Sequence, residues 1–348
     1  MTALREGFTT GACAAAAALG CCLWQAEGEC PRAVEVVLPT GRMFTPSLVA
    51  HEGHWCGVIK DAGDDPDVTH GMEVRAHVEV LPYAGGIRFI AGAGVGVITR
   101  EGLKLPIGEA AINPVPREMI EASVRKVYKD SAMAITISIP GGDIVAQRTF
   151  NPRLGVVGGL SILGTTGIVR PMSEDAIIDT IKLELSTQRA AGHDHIALAF
   201  GQQGEAALIK ALPEFRGKVV QMSNFVGATL DAAREMGFSR LTIAGHPGKL
   251  VKVSGGSMQT HSKIGDGRRE AVITQLALLG APKDLIDGIY RCITTEAMMP
   301  LIERAGYGKV WTNLAIAAQD YCKARIGFAI EISAIMLSGK DGMLGKSL

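Results

Sequence analysis

Hydrophobic and polar positions change rhythm partway along the chain. Up to about residue 150 they come in short alternating runs. Val74, Ala76, Val78 and Val80 face one way against Arg75, His77 and Glu79, which predicts a half-buried strand over Val74–Leu81. Val34–Leu38, closed by Pro39-Thr40-Gly41, predicts another. So do Ile87–Ala91 and Val95–Thr99 on either side of Gly92-Ala93-Gly94, and Ala134–Ile139 before Pro140-Gly141-Gly142. Two helices interrupt the strands. One is alanine-rich and entered through Phe8-Thr9-Thr10-Gly11. The other opens at Pro116 and runs to about Lys129, with Met119, Ile120, Val124 and Val127 on one face. This half reads as an antiparallel α+β domain, residues 1–150.

From about Phe150 the order becomes strand, loop, helix. Leu160–Leu163, Ile196–Phe200, Val219–Met222 and Leu241–Ala244 are apolar runs with strand length. Helices are predicted from Ser173 to about Arg189 and over Ala206–Ala211, Val226–Met236, Glu270–Leu279, Thr295–Arg304 and Thr312–Lys323. Such alternation predicts an α/β domain, residues 151–348, with a mostly parallel sheet. Ligands of these sheets bind at the carboxyl ends of the strands. That rule singles out the loops around Gly164, Gly201, Ser223-Asn224 and Gly245-His246.

Composition narrows the function classes. Lys and Arg total 35 and Asp and Glu total 35, so the chain is formally neutral and a poor partner for nucleic acid or an anionic membrane. Seven cysteines in 348 residues point to reduced thiols and a cytoplasmic home. Gly7 to Ala26 carries no charge, yet Glu6 spoils a basic leader and Gly7, Thr9, Thr10 and Gly11 break the apolar run. A loop feeding a buried helix is the better reading. The 43 glycines are about one residue in eight, against roughly 7% in ordinary proteins. With no collagen-like period, the excess belongs in loops where backbone meets backbone or ligand.

Several clusters could carry chemistry. Thr9 and Thr10 enter a helix whose free N–H groups could hold an anion or simply be capped. Asp61, Asp64, Asp65 and Asp67 could form a magnesium site, an acid/base pair or a solvated turn. Gly92-Ala93-Gly94-Val95-Gly96 continues into a strand rather than a helix, so close backbone packing fits it better than a dinucleotide loop. Asn113 and Arg117 sit on a proline-stiffened turn that either aims them at a ligand or starts a helix. Gly158, Gly159, Gly164, Thr165, Thr166 and Gly167 flank a four-residue strand and invite a ligand to approach; no Walker lysine follows. His246, Lys249, Lys252, His261, Asp266, Arg268 and Arg269 form the most polar stretch of the second half. His51/His54 and His193/His195 lack the further ligands a zinc site needs, and no resident metal is expected.

Taken together, LREGFTTGACAAAAA, GDDPDVTHG, GVGVITREGL, PIGEAAINPVPREMI, TFNPRLGVVGGLSILGTTGIVRPMS, SNFVGATLDAAREMGF and GHPGKLVKVSGGSMQTHSKIGDGR resemble the block pattern of cobalt-precorrin-5B C-1 methyltransferases, the CbiD-type enzymes of cobalamin biosynthesis. The likeness runs in order from Leu4 to about Arg269. Pro247 and Ser254-Gly255-Gly256 depart from it. The resemblance implies S-adenosylmethionine-dependent methylation of C-1 of cobalt-precorrin-5B, giving cobalt-precorrin-6A, with cobalt carried by the substrate. It further implies an N-terminal domain similar to domain 2 of ribosomal protein S5 and a Rossmann-like C-terminal domain.

On this expectation the methyl donor lies over the second-domain strand ends and contacts Gly158, Gly159, Gly164, Thr165, Thr166, Gly167, Asn224 and Gly245. The anionic corrinoid lies between the domains and faces Thr9, Thr10, Asp64, Asp65, Asn113 and Arg117. Its carboxylates are met by a local cluster drawn from Arg100, Arg117, Arg153, Arg170, Lys249 and Arg268, with His261 nearby. His246 and Asp266, with Asp64 and Asp65, orient substrate or relay a proton. Two other functions fit the residues: magnesium- and ATP-dependent phosphoryl transfer by the N-terminal half, and a non-catalytic tetrapyrrole carrier. Homo-oligomerisation and hand-over contacts with other cobalamin-pathway enzymes stay open.

Overall fold

An alanine run buried on every side organises the first half of the chain. After the short strand β1 (Gly7–Phe8), Thr10–Glu27 form helix α1, in which Ala12 to Ala18 are all inaccessible to solvent. Alanine has the highest helix propensity and no rotamers to lose, and a helix apolar all round belongs inside. Thr9 starts it: its Oγ1 accepts the Ala12 N–H at 3.2 Å. Gly28, in the left-handed region at φ 88°, ends it. Thr9→Ala is expected to cost about 1 kcal/mol in urea denaturation, and Thr9→Ser little. Burial pushes the thiols of Cys13 and Cys22 up to about 12 and that of Cys21 up to about 11, so these cysteines pack as small apolar groups.

Residues 4–338 and 342–347 are described by this computed structural model. The chain divides into two compact units, Met1–Glu174 and Asp175–Leu348. In the first, α1 is followed by β2 (Val36–Val37), β3 (Met43–Phe44), β4 (Val49–His51), β5 (Trp55–Ile59), β6 (Glu73–Ala84), β7 (Ile87–Ala91), β8 (Val97–Ile98), α2 (Pro114–Val124), β9 (Ser131–Ser138), α3 (Gly142–Ala146), α4 (Asn151–Leu154), β10 (Val156–Val157) and β11 (Ile168–Val169). The main sheet has the order β4-β5-β6-β9-β7, and α1 packs against α2, β5 and β6. Val74, Ala76 and Val78 are fully buried, as their alternation predicts. The sheet is not purely antiparallel, however. β7 runs parallel to β9, with Ile90 opposite Thr136, because the chain between them makes a crossover that includes α2 instead of a hairpin.

The expected boundary after residue 150 falls at Glu174 instead. Residues 151–174 are tied to the first unit: Val156 pairs with Ile98, and Gly7 with Val169. The Leu160 N–H donates to the Gly94 carbonyl at 2.9 Å, and that of Ile162 to Ala111 at 2.8 Å. The run Leu160–Leu163 therefore does not belong to the second sheet. A four-residue apolar run declares a buried strand but not which partner it will find.

The second unit holds α5 (Glu174–Ala190), β12 (His195–Ala199), α6 (Gly201–Ala211), β13 (Val219–Gln221), α7 (Val226–Glu235), β14 (Arg240–Gly245), α8 (Pro247–Ser254), α9 (Arg268–Leu278), α10 (Lys283–Tyr290), α11 (Thr295–Arg304), α12 (Val310–Ile326), β15 (Glu331–Ser338) and β16 (Gly342–Lys346). Its sheet has the order β13-β12-β14-β15-β16; only β16 is antiparallel to its neighbour. Ile196, Leu198, Val220, Ile243 and Ile332 point into a large core shared with α5, α7, α8 and α12. Ala197, Ala199, Ala244 and Ile335 face the other way, with Leu208 of α6. The chain leaves β12 toward β13 on one side, and β14 joins β12 on the other. The strand ends beside β12 are thus the topological switch point where open α/β sheets bind ligands. Among the described residues no helix is long and apolar enough to cross a membrane.

Candidate functional site

Two loops that the sequence suggested for different domains are one structure in the first unit. Thr9 N–H donates to the Gly167 carbonyl and Gly11 N–H to that of Leu163, both at 3.0 Å; Leu163 N–H donates to Thr10 Oγ1 at 2.9 Å. Thr9 and Thr10 are only 4% and 3% exposed, so their hydroxyls serve the helix cap and the loop. Gly159 is pressed against Gly94: a Cβ on it would sit 2.3 Å from the Gly94 carbonyl carbon. Gly158 has open space around its Cβ position. Thr166 Oγ1 accepts the Ile168 N–H, while Thr165 is exposed. Gly158 to Gly167 therefore belong to the first unit, while Asn224 and Gly245 follow or end strands of the second.

Each carboxylate of the Asp61–Asp67 run has an intramolecular partner, as the turn reading anticipates. Asp61 pairs with Arg5, whose hydrogen bonds hold its carboxyl down at about 2. Asp64 Oδ2 accepts the Arg5 backbone N–H at 2.6 Å, and Asp65 Oδ1 that of Met172 at 2.9 Å. Asp67 Oδ2 meets Lys60 Nζ at 2.7 Å. These contacts bind the N-terminal segment and the 172 turn to the loop through one oxygen each of Asp64 and Asp65. Among the described residues no group of three metal-ligating side chains is assembled.

Arg117 is likewise occupied. Its Nε donates to the Ile112 carbonyl at 2.8 Å and its Nη2 to Glu109 at 2.9 Å, with the guanidinium 5.0 Å from the Phe89 ring centre. It clamps the turn before α2. Asn113 caps nothing with its side chain, which makes no hydrogen bond among the described residues, while its backbone N–H holds the Ile162 carbonyl at 2.9 Å. Arg153 lies on α4, beside Arg100, whose Nη1 reaches its carbonyl at 3.5 Å.

In the second unit the polar stretch does gather. Asn224 follows β13, and α8 starts directly after β14 with His246 as its cap, Nδ1 accepting the Gly248 N–H at 3.3 Å. In a neutral ring this leaves the proton on Nε2. Glu296, from α11, sits 3.5 Å from the same Nδ1. Lys249 Nζ donates to Asn224 Oδ1 at 2.6 Å, and Lys252 Nζ to the Gly265 carbonyl at 2.8 Å. Arg268 grips Asp266 through two nitrogens, and those hydrogen bonds hold the Asp266 carboxyl down at about 2. His261 turns its Nδ1 to the Lys263 N–H and serves its own loop. Asp266 is thus the tether of Arg268, a poor proton relay at neutral pH.

The sequence assigns no role to Lys60, Glu296 or Thr260. Lys60 and Thr260 are 1% and 0% exposed. Nothing in their local pattern marks them as buried. Glu296 had one signal, its place two residues after Thr294, which caps α11. Cavities lie elsewhere, around Arg88 and around His195, and none of the proposed ligand-binding residues lines either.

A mostly parallel sheet, with Lys249 and Lys252 on the helix that follows β14, defines an α/β protein. Residues 1–171 match the family described as CbiD, and residues 259–348 the family described as CbiD, C-terminal domain. The chain belongs to the CbiD family. A relative from Thermoanaerobacter sp. (strain X514), named cobalt-precorrin-5B C(1)-methyltransferase, is 42% identical over 99% of this chain and 95% of its own. One from Tolumonas auensis, of the same name, is 45% identical over 99% of this chain and 93% of its own. The crystal structure of the cobalamin biosynthesis protein CbiD from Archaeoglobus fulgidus is 28% identical, covers 80% of this chain and 85% of its own, and has a TM-score of 0.40.

Proposed function

We propose that this chain is the C-methyltransferase that transfers a methyl group from S-adenosylmethionine to C-1 of cobalt-precorrin-5B, giving cobalt-precorrin-6A in cobalamin biosynthesis. The observation that carries the reading is identity of 42–45% over 99% of the chain with relatives of that name. We read the first unit as similar to domain 2 of ribosomal protein S5 and the second as Rossmann-like, for which the parallel strand order at the switch point speaks. Seven free cysteines suit a cytoplasmic enzyme.

The residues fit a donor at the switch point. Gly201 has positive φ and no atom within 4 Å of a Cβ position, leaving room for a ligand beside β12, and Gly245 ends β14. Asn224 completes the set beyond β13. Bound there, the donor supplies an electrophilic methyl on a sulfonium. The chain's own work is alignment, which can account for roughly 7–11 kcal/mol of the barrier. His246, with its neutral-ring proton on Nε2, is placed to hold an acceptor oxygen. Asn113, Thr165 and Gly158 are the groups the first unit offers to the corrinoid, whose cobalt arrives with the substrate.

Incubation with cobalt-precorrin-5B and donor carrying a 13C-labelled methyl group is the test. The expected result is one label per corrinoid, located at C-1 by NMR, with S-adenosylhomocysteine formed in equal amount. Label at another carbon, or none, overturns the proposal.

A further inference from the structure

Lys249 and Lys252 lie one helical turn apart on α8, directly after β14. Lys252 is 4% exposed, yet its ammonium is held by a neutral oxygen, the Gly265 carbonyl. The ammonium of Lys249 is also held by a neutral oxygen, Asn224 Oδ1. Among the described residues neither lysine forms an ion pair. The carboxylate of Asp266 is hydrogen-bonded by Arg268 and feels the charge of Lys252 without pairing with it. Burial, then the charges of Lys252 and Arg268, lower the affinity of Lys249 for its proton. Desolvated charge hydrogen-bonded only to neutral oxygens is costly. A chain that gathers it at the ligand end of a sheet has a use for it.

Asn224 shows which way that use points. Its Oδ1 accepts both from Lys249 and, at 3.1 Å, from Thr260 Oγ1, while the Thr260 N–H donates to the Asn224 carbonyl at 3.0 Å. Thr260 is fully buried, so the amide is fixed in one orientation. Its Nδ2 group then has no acceptor among the described residues. No buried side-chain nitrogen or oxygen lacks a partner there, so Nδ2 is open to solvent. Ser223, just before, takes a left-handed φ of 50°, an uncommon conformation for serine, and sets the turn that carries Asn224.

We propose that Asn224 Nδ2 and the ammonium of Lys249, backed by Lys252, form a carboxylate-binding subsite at the carboxyl end of the second-unit sheet. A neutral N–H donor and an ammonium lie side by side on one hydrogen-bonded pair, the arrangement that suits an acceptor-only, singly charged, planar group. The inference rests on the methyltransferase reading, in which both reactants carry carboxylates: the amino-acid end of the donor and the acid side chains of the corrinoid. It also explains why Asn224 and Lys249, first assigned to different ligands, are hydrogen-bonded to each other.

Calorimetry of the full-length protein separates the two sources. The ligands are S-adenosylhomocysteine, 5′-methylthioadenosine, which lacks the amino-acid end, and cobalt-precorrin-5B. The variants are Lys249→Gln, at a half-exposed position, and Asn224→Asp, which sets a negative charge in the subsite. A loss of about tenfold to hundredfold in both variants is expected for one anionic ligand. If that ligand is S-adenosylhomocysteine, with 5′-methylthioadenosine unchanged, the donor carboxylate is the occupant. If it is cobalt-precorrin-5B alone, a corrinoid side chain is. Affinities within twofold of wild type for both anionic ligands, in either variant that retains the wild-type melting curve, overturn the subsite even when methyl transfer is normal. Wild-type binding without methyl transfer overturns the functional reading and leaves the subsite standing.

Discussion

Replacing Asp67 by alanine should destabilise the first unit by about 3–5 kcal/mol, read as a lower urea midpoint at unchanged slope. Lys60 is 1% exposed, and Asp67, 2.7 Å from its ammonium, is the only ion-pair partner it has among the described residues. Asp67 also accepts the N–H of Thr69 at 2.8 Å and its hydroxyl at 2.6 Å. Removing the carboxylate leaves a buried cation unpaired and two donors unmet. The double variant Lys60→Met with Asp67→Ala should recover most of the loss, because an apolar chain of similar length needs no partner. A single-variant loss below about 1 kcal/mol would show that water reaches the ammonium.

The same pair sets an acid limit. Burial alone would raise the Asp67 carboxyl, but the charge of Lys60 and the hydrogen bonds from Lys60 and Thr69 outweigh it and hold it below its ordinary 3.8. A group depressed in the folded state stabilises fully above its unfolded value and loses that contribution as pH falls through the folded one. The advantage of wild type over Asp67→Ala should therefore be constant above about pH 5 and shrink below pH 4.

The second large effect is expected at Gly159. Gly159→Val should cost at least about 3 kcal/mol, whereas Gly158→Ala should cost about 1–2 kcal/mol through its left-handed backbone alone. A Cβ on Gly159 would meet the Gly94 carbonyl carbon and oxygen at 2.3 Å and the Val95 nitrogen at 2.6 Å, all backbone atoms that cannot step aside. The Gly159 carbonyl in turn accepts Asn151 Nδ2 at 3.1 Å. The neighbouring Gly158, with φ 88°, has nothing within 4 Å. Thermal melts of the two variants side by side separate crowding from conformational strain. Equal losses would show that the segment moves to accommodate a side chain.

These residues mark what the sequence made legible. Periodicity located β6, β7, β12, β13 and β14, because each is long or apolar enough to declare its period, and it located α1, whose apolar run is unbroken. It missed β15 and β16, although Ile332, Ala334 and Met336 are buried: no element was assigned beyond Lys323, so the sheet lost its last two strands. The boundary error has one cause. Leu160–Leu163 is followed by a helix, as a strand of the second sheet would be, but its backbone partners are Gly11, Gly94, Gly96, Ala111 and Asn113, more than 45 residues earlier. Long-range pairing leaves no local trace. The gathering of polar side chains was legible where they lie near in sequence, as His246, Lys249 and Asp266 do around α8. It was illegible where burial decides the role, as for Lys60, Thr260 and the hydroxyls of Thr9 and Thr10.

The five alanines Ala14 to Ala18 at the heart of α1 have a consequence for that stretch of the first unit. Alanine has no torsion to freeze, so bringing those turns into the interior sacrifices backbone freedom and almost nothing else. By the same token there is little to rearrange: no side chain among those five can swing aside to open a path or absorb a push. That stretch acts as a stiff keel, with adjustable side chains only beyond it, from Leu19 onward.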